Sequence, residues 1–316
     1  MTEQTNDRRS LGMFIASMLI FGTIGVFRRF IPLPSALLAF ARGILGGLFL
    51  WLFVKLRDDF RRTPSVSAGP RDPASRRSAN RAQSQKGDGE RPAPGVMLRL
   101  VITGAMIGIN WMLLFEAYNY TTVAVATLCY YMQPTIVILL SPFVFRERLT
   151  GKKALCAAVS IAGMVLVSGV IGSGGQSVNM RGIALGLGAA FFYAAVVIMN
   201  KKTPGTDPYQ RTTIMLLSAG IVMLPYLFLT DGFSGAGFTP TSILLLLVLG
   251  VFHTGIAYAM YFGSMDGLHV QTIAVFSYID PVSALLFSAL LLREPVSALN
   301  IVGAVMIIGS AIISEL

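Results

Sequence analysis

"YMQPTIVILLSPFVFRE" (131–147) and "YIDPVSALLFSALLLRE" (278–294) fall one over the other when the chain is shifted by 147 residues. Tyr131/Tyr278, Pro134/Pro281, Leu139/Leu286, Ser141/Ser288, Arg146/Arg293 and Glu147/Glu294 are identical without a gap, a match that shared apolar character does not explain. Each stretch is an apolar run interrupted by a polar residue and a proline, Gln133-Pro134 in one and Asp280-Pro281 in the other. A soluble core tolerates neither the acid nor the missing N–H, whereas a membrane helix that lines a polar cavity uses both. The match predicts two homologous halves.

The composition names the solvent. Of 316 residues 54% are hydrophobic and 13% charged, against roughly 25% charged in an average soluble domain. Crossing a bilayer takes about 20 apolar residues of helix. Ten such stretches can be marked, at 11–28, 34–55, 97–117, 122–145, 152–171, 182–200, 212–230, 242–263, 268–292 and 298–314. The expectation is an all-α polytopic membrane protein. Five spans per half make the second half enter the membrane the other way up, giving ten transmembrane helices as two inverted five-helix repeats. Residues 1–171 hold the first repeat and 182–316 the second. The start, "RRSLGMFIASMLIFGTIGVF" (8–27), reads as the first span because no small-residue cleavage site follows it.

The net charge of +10 raises the question of nucleic acid, but its placement argues for a membrane. With the N-terminus inside, 20 of the 25 lysines and arginines fall in cytoplasmic segments, while Arg28, Arg29, Arg181 and Arg293 lie opposite and Arg42 sits within a span. This bias follows the positive-inside rule and predicts a cytoplasmic (inner) membrane protein with both termini cytoplasmic. Residues 57–95, rich in Arg, Ser, Pro and Gly with hardly an apolar anchor, read as a disordered cytoplasmic linker. Cys129 and Cys156 lie in apolar runs and suggest neither a disulfide framework nor a metal site.

Several features together carry a resemblance: the five-plus-five inverted pattern, a proline inside spans four and nine, the Glu closing each of them ("RERLTG", "REPVSA"), and the Gly/Ala-rich helix that follows ("AVSIAGMVLVSG", "IVGAVMIIGSA"). The chain resembles the drug/metabolite transporter superfamily, EamA-type, over nearly its whole length except 57–95. The resemblance implies secondary transport of small metabolites by alternating access around a cavity between the repeats. An acid before the span-nine proline and an arginine in span two also recur in that family, whereas the position of Glu116 is variable there.

Ionisable residues inside membrane spans are functional candidates by default. Asp280 and its mate Gln133 fall near mid-depth, where Pro134 and Pro281 free backbone acceptors. Tyr130, Gln133, Tyr278 and Asp280 are therefore expected to line a substrate site, with Asp280 as cation partner or proton acceptor. His253, at similar depth in span eight, is placed to hydrogen-bond Asp280 and relay protons, against the alternative of a helix-packing contact. Arg42 and Glu116 are expected to overlap in depth as an ion pair, a gate or a structural tie. Phe21, Trp111, Tyr193 and Tyr258 recur at comparable depths, and aromatic faces attract organic cations. Glu147 and Glu294 read as interfacial stabilisers beside arginines.

ATP coupling is disfavoured, because no G-x-x-x-x-G-K-[ST] loop exists and "GSGGQS" (172–177) lacks the lysine. An intramembrane enzyme acting on a lipid-like substrate is the alternative, but it needs clustered acids or a nucleophile with its base. The reading is a secondary transporter of an amino acid, amine or related organic solute, with proton coupling expected to rest on Asp280, His253 and Glu116. It implies no cofactor, no metal and no nucleic acid, and a monomer or homodimer in the bilayer.

Overall fold

The computed structural model describes residues 2–62, 92–121, 123–167, 171, 179–230, 234, 237–293 and 296–315. Among them every regular element is helical. Eight segments are long and apolar enough to cross a membrane: Arg8–Arg29, Ser35–Asp59, Pro94–Tyr120, Val125–Phe145, Met180–Lys201, Pro208–Leu229, Pro240–Gly267 and Val270–Leu292. Two shorter helices, α7 (Gly151–Val167) and α14 (Ala298–Glu315), pack face to face. Large apolar side chains such as Phe143, Leu155, Met180 and Leu229 point outward, the surface that hydrocarbon solvates and water does not.

The first segment consists of α1 (Thr2–Gly22) and α2 (Ile24–Arg29), broken at Thr23, whose hydroxyl turns back to Ile20 O at 2.7 Å. The next two are α3 (Ser35–Arg62) and α4 (Pro94–Tyr120). They absorb both ends of the expected linker, residues 57–62 and 94–95. "RDDFRR" contains no helix breaker, and Arg57 is tied to Asp207 at 2.8 Å. The remainder, 63–91, lies outside the described residues, as do "GSGGQS" and Glu294.

The two repeat-related spans that carry Pro134 and Pro281 are broken rather than merely bent. Helix α5 (Val123–Tyr130) stops one turn before α6 (Gln133–Phe145). Between α12 (Val270–Phe276) and α13 (Ile279–Leu292) the same gap recurs. Proline lacks an N–H and disfavours helical geometry in the residue before it, and Pro134 and Pro281 each fall in a first helical turn, where that N–H has no intrahelical partner to lose. The two elements also end alike. Arg146 at φ 57° and Arg293 at φ 56° are the non-glycine residues in the left-handed region among those described, a conformation common where a helix terminates.

Helix α8 (Met180–Lys201) packs on α4, α5 and α6, and α9 (Pro208–Leu229) on α3 and α4. Side-chain caps start both, with Asn179 accepting from Arg181 N and Asp207 from Tyr209 N and Gln210 N. The seventh segment runs through α10 (Pro240–Val248), a π-helical stretch Leu249–Ile256, α11 (Ala257–Ser264) and a 3₁₀ turn. A capping box of Thr239 and Ser242 fixes its start.

Candidate functional site

A line of aromatic rings crosses the centre of the bundle. Tyr130 stacks on Tyr193 at 5.7 Å and 14°, and Tyr193 on Tyr261 at 6.4 Å and 20°. Tyr261 meets Phe21 at 5.8 Å and Tyr258 at 6.4 Å, and Tyr258 meets Trp111 edge-on at 6.5 Å. Six elements supply these rings, α1, α4, α5, α8, α11 and the α5–α6 break, because Tyr131 lies against Tyr130 at 5.5 Å. The aromatic candidates Phe21, Trp111, Tyr130, Tyr193 and Tyr258 are thus brought together. Tyr261 and Tyr131 complete the line and were not singled out from sequence. Tyr261 follows Tyr258 by one helical turn, and Tyr131 was visible only as the repeat mate of Tyr278.

Opposite charges stand among these rings. The Tyr131 hydroxyl donates to Asp280 Oδ2 at 3.1 Å. Arg42 stands on α3 one residue before Gly43, where an added Cβ would meet the Trp111 ring at 3.3 Å. Arg42 Nε donates to Thr254 Oγ1 at 3.0 Å. Half-buried Arg42, Tyr130, Tyr193 and Asp280 adjoin the nearly buried Tyr258 and Tyr261. The arrangement can stack a flat or apolar body against the rings and meet a charge of either sign beside them.

Three expected contacts take other partners. Arg42 and Glu116 do not pair, since α9 packs against both α3 and α4. Glu116 instead accepts from Tyr226 of α9 at 3.2 Å and from Asn119 at 3.2 Å. His253 does not reach Asp280. Its Nε2 meets Thr23 Oγ1 at 2.7 Å, its Nδ1 faces Val248 O at 3.4 Å, and its ring lies 4.7 Å from Phe27. The π-helical turn directs it to the α1–α2 break. Tyr278 lies off the ring line, packed with Met164, Val282 and Ile307, and shares a 2.8 Å hydrogen bond with Thr135 Oγ1. Gln133 is buried, and its Nε2 has no hydrogen-bond partner among the described residues. Glu147 bonds no arginine; its Oε1 accepts from Val270 N at 3.1 Å, starting α12.

One end of the bundle holds a polar cluster that sequence reading missed. Arg211, fully buried, makes two parallel 3.1 Å bonds to Asp266 and also donates to Thr203 O and Phe262 O. Lys201 donates to the carbonyls of Met265, Asp266 and Leu268. Only the pairing of a cation and an acid 55 residues apart hints at this, and nothing local marks it. Among the described residues no group of three or more His, Cys, Asp or Glu side chains could hold a metal ion.

Apolar helices with outward-facing large hydrophobic residues and a polar, aromatic interior define a multi-pass membrane protein. The family model of EamA-like transporters matches residues 8–169 and 180–315, and the chain belongs to that family. It is similar to an uncharacterized transporter YxxF of Bacillus subtilis, 28% identical over 272 residues, 86% of this chain and 78% of that one. A probable amino-acid metabolite efflux pump of Escherichia coli is 33% identical over 206 residues, 61% of this chain and 68% of that protein. A solved crystal structure superposes with a TM-score of 0.74 at 19% identity, covering 97% of this chain and 98% of that one, a likeness of fold alone.

Proposed function

We propose that this membrane transporter is a ten-span secondary transporter made of two inverted five-helix repeats, 1–171 and 182–316. It moves an amino acid, amine or related organic solute across the cytoplasmic membrane by alternating access, coupled to protons at Asp280. The observation that carries the reading is the cluster of aromatic rings holding Arg42 and Asp280 beside the two helix breaks. Broken helices with polar residues at the break are where such proteins bind solutes and ions.

The two repeat-related tyrosines each cross to the other half. Tyr131 of the first half bonds Asp280 of the second, while its mate Tyr278 bonds Thr135 of the first. Counting α7 and α14 as spans gives five per half, and inversion then puts both termini and the Arg211–Asp266 cluster on the cytoplasmic side. Asp280 is the acid that faces the rings, so proton coupling falls to it rather than to His253 or Glu116. The printed name of the Escherichia coli relative supports the amino-acid class.

Purified protein in liposomes loaded with an unlabelled amino-acid mixture should accumulate labelled amino acid by counterflow, saturably and chemically unchanged. Conversion of the solute without flux would instead mark an intramembrane enzyme.

A further inference from the structure

Helix α3 and the π-helical stretch touch backbone to backbone beside Arg42. A Cβ on Gly46 would lie 2.8 Å from Gly250 O and 2.9 Å from Gly255 N. Within that stretch the Thr254 hydroxyl donates to Leu249 O, five residues back, at 2.8 Å. Its proton is thereby committed, and its lone pair accepts from Arg42 Nε. Nε carries one hydrogen, so this bond orients the guanidinium without using its two terminal amino groups. Among the described residues no carboxylate lies within ion-pair distance of Arg42, and Tyr258, Tyr130 and His253 lie within its electrostatic reach. An arginine inside a membrane bundle is costly unless it is paired or used. π-Helical turns, themselves strained, often mark functional positions.

We infer that Arg42 is the carboxylate-binding group of the site and Thr254 its positioning residue, so that the solute carries a carboxylate at Arg42 and an apolar or aromatic body against the rings. This rests on the transporter reading above and narrows its solute class, excluding simple amines. The planar fork of an arginine matches a carboxylate with two parallel N–H bonds. The π-helical turn supplies the register, since Thr254 meets both Leu249 O and Arg42 from a single rotamer.

Trp111 stands in the ring line, and the other tryptophan, Trp51, faces outward. In a Trp51→Phe background Trp111 fluorescence reports binding directly. Four probes separate the charges: L-phenylalanine, 3-phenylpropionate, phenylalanine methyl ester and phenethylamine. The two carboxylates are expected to bind at least about tenfold tighter than the ester and the amine, the effect of one charge-assisted pair. Arg42→Gln should erase that ratio, Thr254→Val should shrink it, and Thr254→Ser should preserve it; a packing role would weaken all four probes alike. Equal binding of ester and acids, a uniform loss in Thr254→Val, or no binding of any probe overturns the assignment. Phenethylamine flux in liposomes without carboxylate preference would overturn it while leaving the transporter reading intact. Carboxylate-selective binding with no flux of any probe would do the reverse.

Discussion

Tyr131 donates its hydroxyl to the Asp280 carboxylate at 3.1 Å, joining the break between α5 and α6 to the first turn of α13, 149 residues away. A hydrogen bond to a charged group contributes about 1.5–3 kcal/mol. Tyr131→Phe should therefore lower the unfolding temperature measured in detergent. Tyr278→Phe, which loses a bond between neutral hydroxyls, should lower it less. Equal effects would show that Asp280 is not held as the carboxylate.

Asp280→Asn retains an acceptor for Tyr131 but cannot ionise. Uptake driven by an imposed proton gradient should fall to the level seen without a gradient, while counterflow between compartments of equal pH persists. Because the charge is lost at every pH, the pH dependence of net uptake should flatten rather than move. Flux ratios across a series of imposed gradients decide it, and a retained gradient response would place coupling elsewhere.

The Arg211–Asp266 pair closes one end of the bundle with a fully buried guanidinium, and Asp266 is about a third exposed. Removing one partner of a buried pair costs about 3–5 kcal/mol, and the exposure of Asp266 favours the lower end. Asp266→Asn should cost less than Asp266→Leu, which leaves Arg211 without either acceptor oxygen. Thermal unfolding of both single variants and of Arg211→Met/Asp266→Leu tests this. The double variant should recover part of the loss, as replacement of a buried pair by apolar groups commonly does.

Helices α7 and α14 approach at Gly163 and Gly303. A Cβ on Gly163 would stand 2.7 Å from Gly303 O, and one on Gly303 2.5 Å from Gly163 O. Gly303→Val should force the helices apart and lower stability by at least about 1–3 kcal/mol, as overpacking does. Gly309→Val, on the same helix with open space around it, should be near neutral. Comparing the two melting curves separates backbone crowding from helix propensity.

What could be read from sequence was whatever the repeat or a local rule determines. Shifting by 147 residues found the proline breaks, and the helix ends at Arg146 and Arg293 follow in the same register. Periodic apolar runs gave the helices, and depth along them gathered Trp111, Tyr130, Tyr193 and Tyr258. Side-chain partners were not legible, because they depend on which helix intervenes. Arg42 and Glu116 were expected to overlap in depth, yet α9 from the other half of the chain lies against both their helices. His253 was misdirected because no residue pattern announces a π-helical turn, whose extra residue rotates everything after it onto a different face. Arg211 looked like one more positive charge at a helix end, and its burial needs Asp266, which only the folded chain brings near.

The inverted relationship of the two halves is the claim on which the site, the coupling and the alternating access all depend. Thr150 and Ser297 occupy matching positions, 147 residues apart, and both are exposed just beyond a broken helix. In a chain carrying Cys129→Ser and Cys156→Ala, the account predicts opposite sidedness for cysteines at these two positions. An impermeant maleimide added to intact cells should label Ser297→Cys and leave Thr150→Cys untouched until the membrane is opened. Labelling of both from the same side would contradict the inverted architecture.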